Sequence, residues 1–411
     1  MEKASVLKSV LPVPPGGRLR DVDLFGASPP GFFVGRFGYP NVRLGPLVPV
    51  VDSFSDAPHL LDAPEKWFGT PMERVVEFRS SLARSNFTTS VKLGRRVDDL
   101  PLGTRRLLET SQELAMAARP VDTEAHLTDL RVHVQFDDHA LPVGPSGTAD
   151  RIRIDENVPV RPAVERAVGD VDLNASGAVF EVLYQRGGLE VSEIQRVFSA
   201  GLLGRERNRR LVPTRWAVTA VDDVVSRGLV AKLKSHQQLG EYLCFEETYL
   251  DNHFTVLLAP GTWSFEMMEV WAPNSLWNQP VPGVGPPAPP KINADHEYEG
   301  GRKSYASNVT GAYYAARLAV AEYLERAKRC GWCVVFREVS SGYLIPLGVW
   351  VIRETLRKAL VKPPARFDSL PAAFRWCTRG FAMPAKAWRR ASKLLNRRRT
   401  RSLAEFLRPP S

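Results

Sequence analysis

Cysteine is scarce in this chain, with four among 411 residues: Cys244, Cys330, Cys333 and Cys377. So few thiols cannot staple a chain this long, which excludes a disulfide scaffold and predicts reduced side chains. Long apolar runs are lacking too. No stretch of 18 residues or more is apolar enough to span a bilayer, so no membrane partner is expected. Met1 to Leu11 carries two lysines but neither the long apolar segment nor the small-residue cleavage site of a secretory signal, and the expected compartment is the cytoplasm. Two further signatures are missing: a phosphate-binding loop ending in Gly-Lys-Ser/Thr, and a second Cys-x-x-Cys pair that would complete a four-ligand zinc site. No metal site and no cofactor are predicted from these patterns.

What is present begins with charge. There are 55 basic and 45 acidic residues, a net charge of +10. Eleven of the basic residues and one acid, Glu405, lie between Pro371 and Ser411, which leaves 44 of each sign before them. The body is formally neutral and the tail holds the excess. A hydrophobic content of 44% suffices for a large core.

Periodicity predicts a mixed α+β fold: one large body that admits division into two subdomains, with a basic C-terminal helix and a flexible tail. The opening to about Val51 is punctuated by Gly and Pro and reads as loop or short strand. Helices are predicted over Pro71–Arg84, Gly103–Ala118, Val191–Ala200, Asp222–Leu233, Asn308–Lys328 with Gly331 as its cap, and Arg353–Leu360. Strands are predicted at Leu130–Phe136, Leu211–Val218, His253–Leu258, Trp263–Trp271, Trp332–Val339 and Tyr343–Val351. Six prolines in 279–290 mark a linker or semi-rigid loop. The segments are therefore an N-terminal piece, 1–23; a body, 24–370, with a possible subdivision at 279–290; a basic helical appendage, 371–399; and a terminal peptide, 400–411.

Candidate functional residues follow from chemistry. The densest basic cluster of the body holds Arg207, Arg209, Arg210, Arg215 and Trp216. Its guanidinium forks suit phosphate oxygens and its indole suits stacking on a base, or else Arg215 and Trp216 pack into the fold. Gly35, Arg36 and Gly38 could present amides and a cation to a phosphate, or simply shape tight turns. Asp295, Glu297 and Glu299 alternate, so in an extended segment their carboxylates share a face. With His296, Glu266 and Glu269 they could hold a divalent metal that activates water, or form a solvated acidic loop. Thr219 to Asp222 fits a helix capping box, which makes Asp222 and Asp223 cap residues. Cys330-Gly-Trp-Cys333 follows a helix, the wrong end for a low-pKa thiol, and is expected to be buried structure.

The tail combines Arg397, Arg398 and Arg399 with the terminal sequence Thr400-Arg-Ser-Leu403-Ala-Glu-Phe406-Leu407. Residues three apart eclipse in a 3₁₀ turn, so Leu403 and Phe406 emerge together with Leu407 beside them. This resembles the PCNA-interacting peptide of sliding-clamp partners, with Thr400 in the usual Gln position and Leu407 in place of the second aromatic. Burying three such side chains is worth roughly 1.5 to 3 kcal/mol each before ordering costs, consistent with micromolar binding. The neighbouring arginines suit DNA, since neutralising phosphates releases counterions.

Longer segments resemble the archaeal Nre family of DNA repair proteins. They are Leu24-Phe-Gly-Ala-Ser-Pro-Pro to Leu47, Val75 to Arg84, Asn208-Arg-Arg-Leu-Val-Pro-Thr-Arg-Trp216 to Asp223, Trp263-Ser-Phe-Glu266, Gly311-Ala-Tyr-Tyr-Ala-Ala-Arg-Leu318 to Tyr323, and Arg337-Glu338 through Gly348-Val-Trp350. The resemblance implies a role in DNA damage repair and a C-terminal clamp-binding peptide, here Thr400, Leu403, Phe406 and Leu407. Some family members carry an N-terminal cysteine-rich zinc motif, but no cysteine precedes Cys244 here. The expectation is a repair factor brought to the sliding clamp and contacting DNA. The alternative is a metal-dependent nuclease or nucleotide-processing hydrolase using Asp295, Glu297 and Glu299.

Overall fold

The computed structural model describes residues 17–50, 57–92, 100–275, 278 and 289–397. Two six-stranded mixed sheets carry the architecture, which is α+β as the patterning predicts. The first uses β1 (Arg18–Ser28), β2 (Phe32–Val34), β3 (Asn41–Pro49), β4 (Leu82–Ser90), β5 (Val121–Arg131) and β6 (Ser146–Ile154), in the order β1-β5-β6-β4-β3-β2. A short parallel pair, β7 (Gln237–Gln238) with β12 (Arg329–Cys330), stands apart. The second sheet uses β8 (Tyr242–Tyr249), β9 (Asn252–Ala259), β10 (Ser264–Trp271), β11 (Ile292–Glu297), β13 (Trp332–Val339) and β14 (Ala365–Phe367), in the order β11-β10-β13-β9-β8-β14. Only β4/β6 in the first sheet and β10/β13 in the second run parallel.

The helices are α1 (Met72–Ser80), α2 (Leu102–Met116), α3 (Pro162–Gly169), α4 (Ala175–Gly177, continued as a π-helical turn over Ala178–Arg186), α5 (Val191–Ser199), α6 (Thr214–Leu233), α7 (Gly311–Ala327), α8 (Trp350–Ala359), α9 (Leu370–Thr378) and α10 (Ala385–Ala391). Helix α7 is apolar almost all round because it is sandwiched: α6 and α8 pack against it and the second sheet lies beneath. Its Tyr313 ring meets Phe265 of β10 edge-on, at 5.1 Å.

The second sheet is buried on both faces, which is why β13 reads Trp-Cys-Val-Val-Phe-Arg-Glu-Val without alternation. Phe265, Met267, Val335 and Phe254 look toward α7. Met268, Val270, Val334 and Phe336 look the other way, onto Phe374 of α9, Trp388 of α10, Leu394 and Leu395. The segment read as a basic appendage over 371–399 therefore covers a sheet face as far as it is described, with Lys386, Arg389 and Arg390 on its exposed side. Two buried carboxylates pin it: Glu266 accepts bonds from Ser392 Oγ, Lys393 N and Leu394 N, and Glu338 accepts from the Ala382 and Met383 amides.

Several elements depart from the sequence reading. Leu211–Val218 is not a strand: α6 starts at Thr214, because Ala217, Val218, Val221, Val225 and Leu229 form one buried helical stripe. The Thr219–Asp222 capping box is thereby overturned, as both residues lie inside the helix, whose N-cap is Pro213. The strand expected at Leu130–Phe136 ends at Arg131 and begins at Val121, with a register shift after Leu127 that breaks the simple alternation. The helix over Pro71–Arg84 stops at Ser80 and gives way to β4. Tyr343–Val351 forms no strand: Pro346 and Gly348, at φ +95°, break it, while Tyr343, Ile345 and Leu347 still pack inward. Helix α7 is closed by Lys328 in the left-handed region, not by Gly331.

Candidate nucleic-acid interface

Three separate stretches meet at one rim of the first sheet. The loop Gly35–Pro40 joins β2 to β3, Val91 and Lys92 follow β4, and Arg209–Trp216 leads into α6. Backbone bonds stitch them together: Val91 N donates to Pro40 O at 2.8 Å and Leu211 N to Val91 O at 2.9 Å. Thr214 Oγ1 accepts from Val34 N at 2.9 Å, and the Tyr39 and Trp216 rings lie 5.5 Å apart.

The rim displays what a folded protein normally hides. Phe37 is 83% exposed, and Tyr39 and Trp216 are each about half exposed. Arg36, Arg43, Lys92 and Arg210 are exposed among them. The predicted residues thus divide. Arg36, Arg210, Arg215 and Trp216 come together, whereas Arg209 spends its guanidinium on the Gly204, Val168 and Asp170 carbonyls. Arg207 sits on the separate 3₁₀ turn Glu206–Asn208. Phe37, Tyr39, Arg43 and Lys92 escaped the sequence reading, although the aromatic density around Arg36 was a signal that could have found the first two.

Behind the rim lies a cavity of about 580 Å³ lined by His139, Arg215, Trp216, Thr219, Ala220, Asp223, Tyr305, Thr310 and Tyr314. Asp137 fixes Arg215 at 2.5 Å and also accepts the His139 and Ala140 amides. Burial opposes ionisation of Asp137, but those amides and the Arg215 charge hold its carboxyl below the usual range. His139 is only 7% exposed. Burial pushes its pKa down, helped by the charges of Arg215 and Arg36, so the ring is neutral at pH 7. Gly311 N donates to His139 Nε2 at 3.2 Å, which places the proton on Nδ1, and Nδ1 has no hydrogen-bond partner among the described residues.

The acidic strand backs this cavity. Asp295 and Glu297 do share the buried face of β11, while Glu299 lies beyond the strand and is exposed. Asp295 accepts the Asn308 and Val309 amides at 2.8 Å and pairs with Arg302, so it shapes the entry to α7, where Thr310 is held at φ +60°. Glu297 takes Trp263 Nε1 at 2.9 Å and Arg317 at 2.8 Å. Glu269 shares their face but pairs with Arg337 at 2.9 Å, and burial raises its pKa. Glu266 and His296 face the opposite side, at paired register positions. No group of three or more His, Cys, Asp or Glu side chains among the described residues could hold a metal ion. Asp222, expected to cap a helix, receives a two-pronged bond from Arg353 at 2.9 and 3.0 Å, and burial pushes its pKa up to about 6. Asp223 pairs with Arg317. Cys330 and Cys333 are buried, and burial raises both thiols. Arg397 lies with its guanidinium 5.0 Å from the Tyr298 ring. Arg398, Arg399 and the peptide Thr400, Leu403, Phe406 and Leu407 lie outside the described residues.

Comparison with known proteins decides the family. The archaeal Nre N-terminal family model matches residues 16–278 and the archaeal Nre C-terminal model matches 297–406. The chain belongs to the archaeal Nre family. It is 38% identical to the DNA repair protein NreB of Archaeoglobus fulgidus over 386 residues, 94% of this chain and 92% of the relative. DNA repair protein NreA of the same organism is 36% identical over 90% of this chain and 88% of its own length. DNA repair protein NreA of Haloferax volcanii is 38% identical, covering 90% and 86%. No solved structure matches the chain at a significant level. Among the described residues no helix is long and apolar enough to cross a membrane.

Proposed function

We propose that this Nre protein is a DNA repair factor that meets DNA through the Arg36–Trp216 rim and is recruited to the DNA sliding clamp, PCNA, through Thr400, Leu403, Phe406 and Leu407. The observation that carries the DNA contact is the gathering of Arg36, Arg43, Lys92 and Arg210 with exposed Phe37, Tyr39 and Trp216 on one stitched surface. Cations that track phosphates and rings that stack on bases are the two components of such a surface. The names of the relatives agree with a repair role. Recruitment is supported by the tail sequence and by its basic flank, Arg397 to Arg399.

The hydrolase alternative gains no observation in its favour, since Asp295 and Glu297 are committed to Arg302, Arg317 and backbone amides. The deciding experiment is a pull-down with the cognate clamp, using the full chain and a chain ending at Arg399. The full chain is retained and the shortened chain is lost; equal retention of the two removes the clamp from the proposal.

A further inference from the structure

A surface that only follows phosphates needs no cavity, yet one of about 580 Å³ opens beside Trp216. That volume falls in the range of small-ligand sites. Its walls offer two complementary kinds of contact. Tyr305, half exposed, stacks on Tyr314 at 5.5 Å with 24° between the planes, so its orientation is fixed by the ring behind it; Trp216 supplies a second ring. Arg215 supplies a cation, locked in place by Asp137. His139 closes the wall behind them, with its Nδ1 enclosed and its Nε2 3.5 Å from the Tyr305 hydroxyl.

A stacking face and a fixed cation match the two general features of a nucleotide, its base's π-face and its phosphate. We propose that this cavity takes one unpaired DNA nucleotide, its base against Trp216 and Tyr305, its phosphate toward Arg215 and Arg36. The assignment rests on the reading of the rim as the DNA-facing surface. It adds selectivity to it, because a base inside an intact duplex has its faces covered by its neighbours and cannot enter without leaving the stack. Thr310 belongs to the same wall. Its left-handed backbone, held by the Asp295 bonds to Asn308 and Val309, is the kind of strain that persists where a site is preorganised.

The test compares binding of the full chain to a short duplex and to the same duplex with a single bulged deoxyadenosine, with free deoxyadenosine monophosphate as competitor. The bulged duplex binds about tenfold tighter, a typical return for stacking on aromatic side chains. Tyr305→Ala and Trp216→Ala abolish that preference, and Tyr305→Phe retains it. Equal affinity for the two duplexes overturns the proposal while leaving the rim intact. Binding to neither duplex overturns the rim and the cavity together. Competition by the free nucleotide without any preference for the bulge assigns the cavity to mononucleotides and overturns its role in DNA. Loss of the clamp in the chain ending at Arg399 does not touch the bulge preference, so the two proposals fail separately.

Discussion

Arg317 is 2% exposed, and an arginine so enclosed persists only with its charge met on several sides. Glu297, Asp223 and Ser226 Oγ meet it, and the Tyr313 and Tyr314 rings lie at 5.8 and 5.4 Å. Replacing it by leucine strands a carboxylate that is itself buried, at a cost of about 3 to 5 kcal/mol. Urea unfolding of Arg317→Leu checks this. A loss under 1 kcal/mol, the scale of surface pairs, would mean that the network is solvated after all. At this scale the sequence was half legible. The alternation of Asp295 and Glu297 correctly put both on one face, but the arginines that neutralise them arrive from 302 and 317, and periodicity carries no information about such partners. His139 was illegible for a different reason. It lies in an irregular segment after β5, placed by Gly311 of α7, which is 172 residues further along the chain.

Among the elements, α10 decides whether the second sheet is covered. Trp388 is fully buried, edge-on to Phe336 at 5.6 Å, and the short helix around it has little stability of its own. Trp388→Ala removes a large core side chain and is expected to cost about 3 to 5 kcal/mol. Calorimetry of Trp388→Ala beside the unaltered chain separates a packed cover, which loses stability, from a solvated appendage, which does not. Regular elements with clean boundaries were readable: β13 runs Trp332–Val339 as expected, and α5 ends one residue early at Ser199. Where the reading failed, tertiary packing had overruled local pattern. Leu211–Val218 reads as an extended piece, but the stripe from Ala217 to Leu229 extends the helix back to Thr214. The apolar run at 343–351 reads as a strand because inward packing alone, without a ladder, leaves the same mark on composition.

For the molecule as a whole, charge is unevenly shared: residues 1–370 are formally neutral, and of the eleven cations after them seven lie in the segment 371–397 that covers the second sheet. Local cations on the rim nevertheless give the body its own ionic footprint. Each phosphate contact contributes roughly 0.7 to 0.9 to the slope of log K against log salt. Replacing Arg36 and Arg210 together by Gln is expected to reduce that slope by about 1.5 and to weaken duplex and bulged DNA alike. Titrations across a salt series measure it, and an unchanged slope would take both residues off the phosphates.

Glu266 would limit how far that body strays under the proposed clamp recruitment. By holding the Lys393 and Leu394 amides it fastens the chain to the sheet, and Leu403 follows Arg397 by only six residues. Even drawn out fully, six residues reach about 20 Å. A clamp gripping Leu403 would therefore hold the repair body on a short leash, close enough that a nucleotide leaving the clamp passes within its reach and a distant one does not.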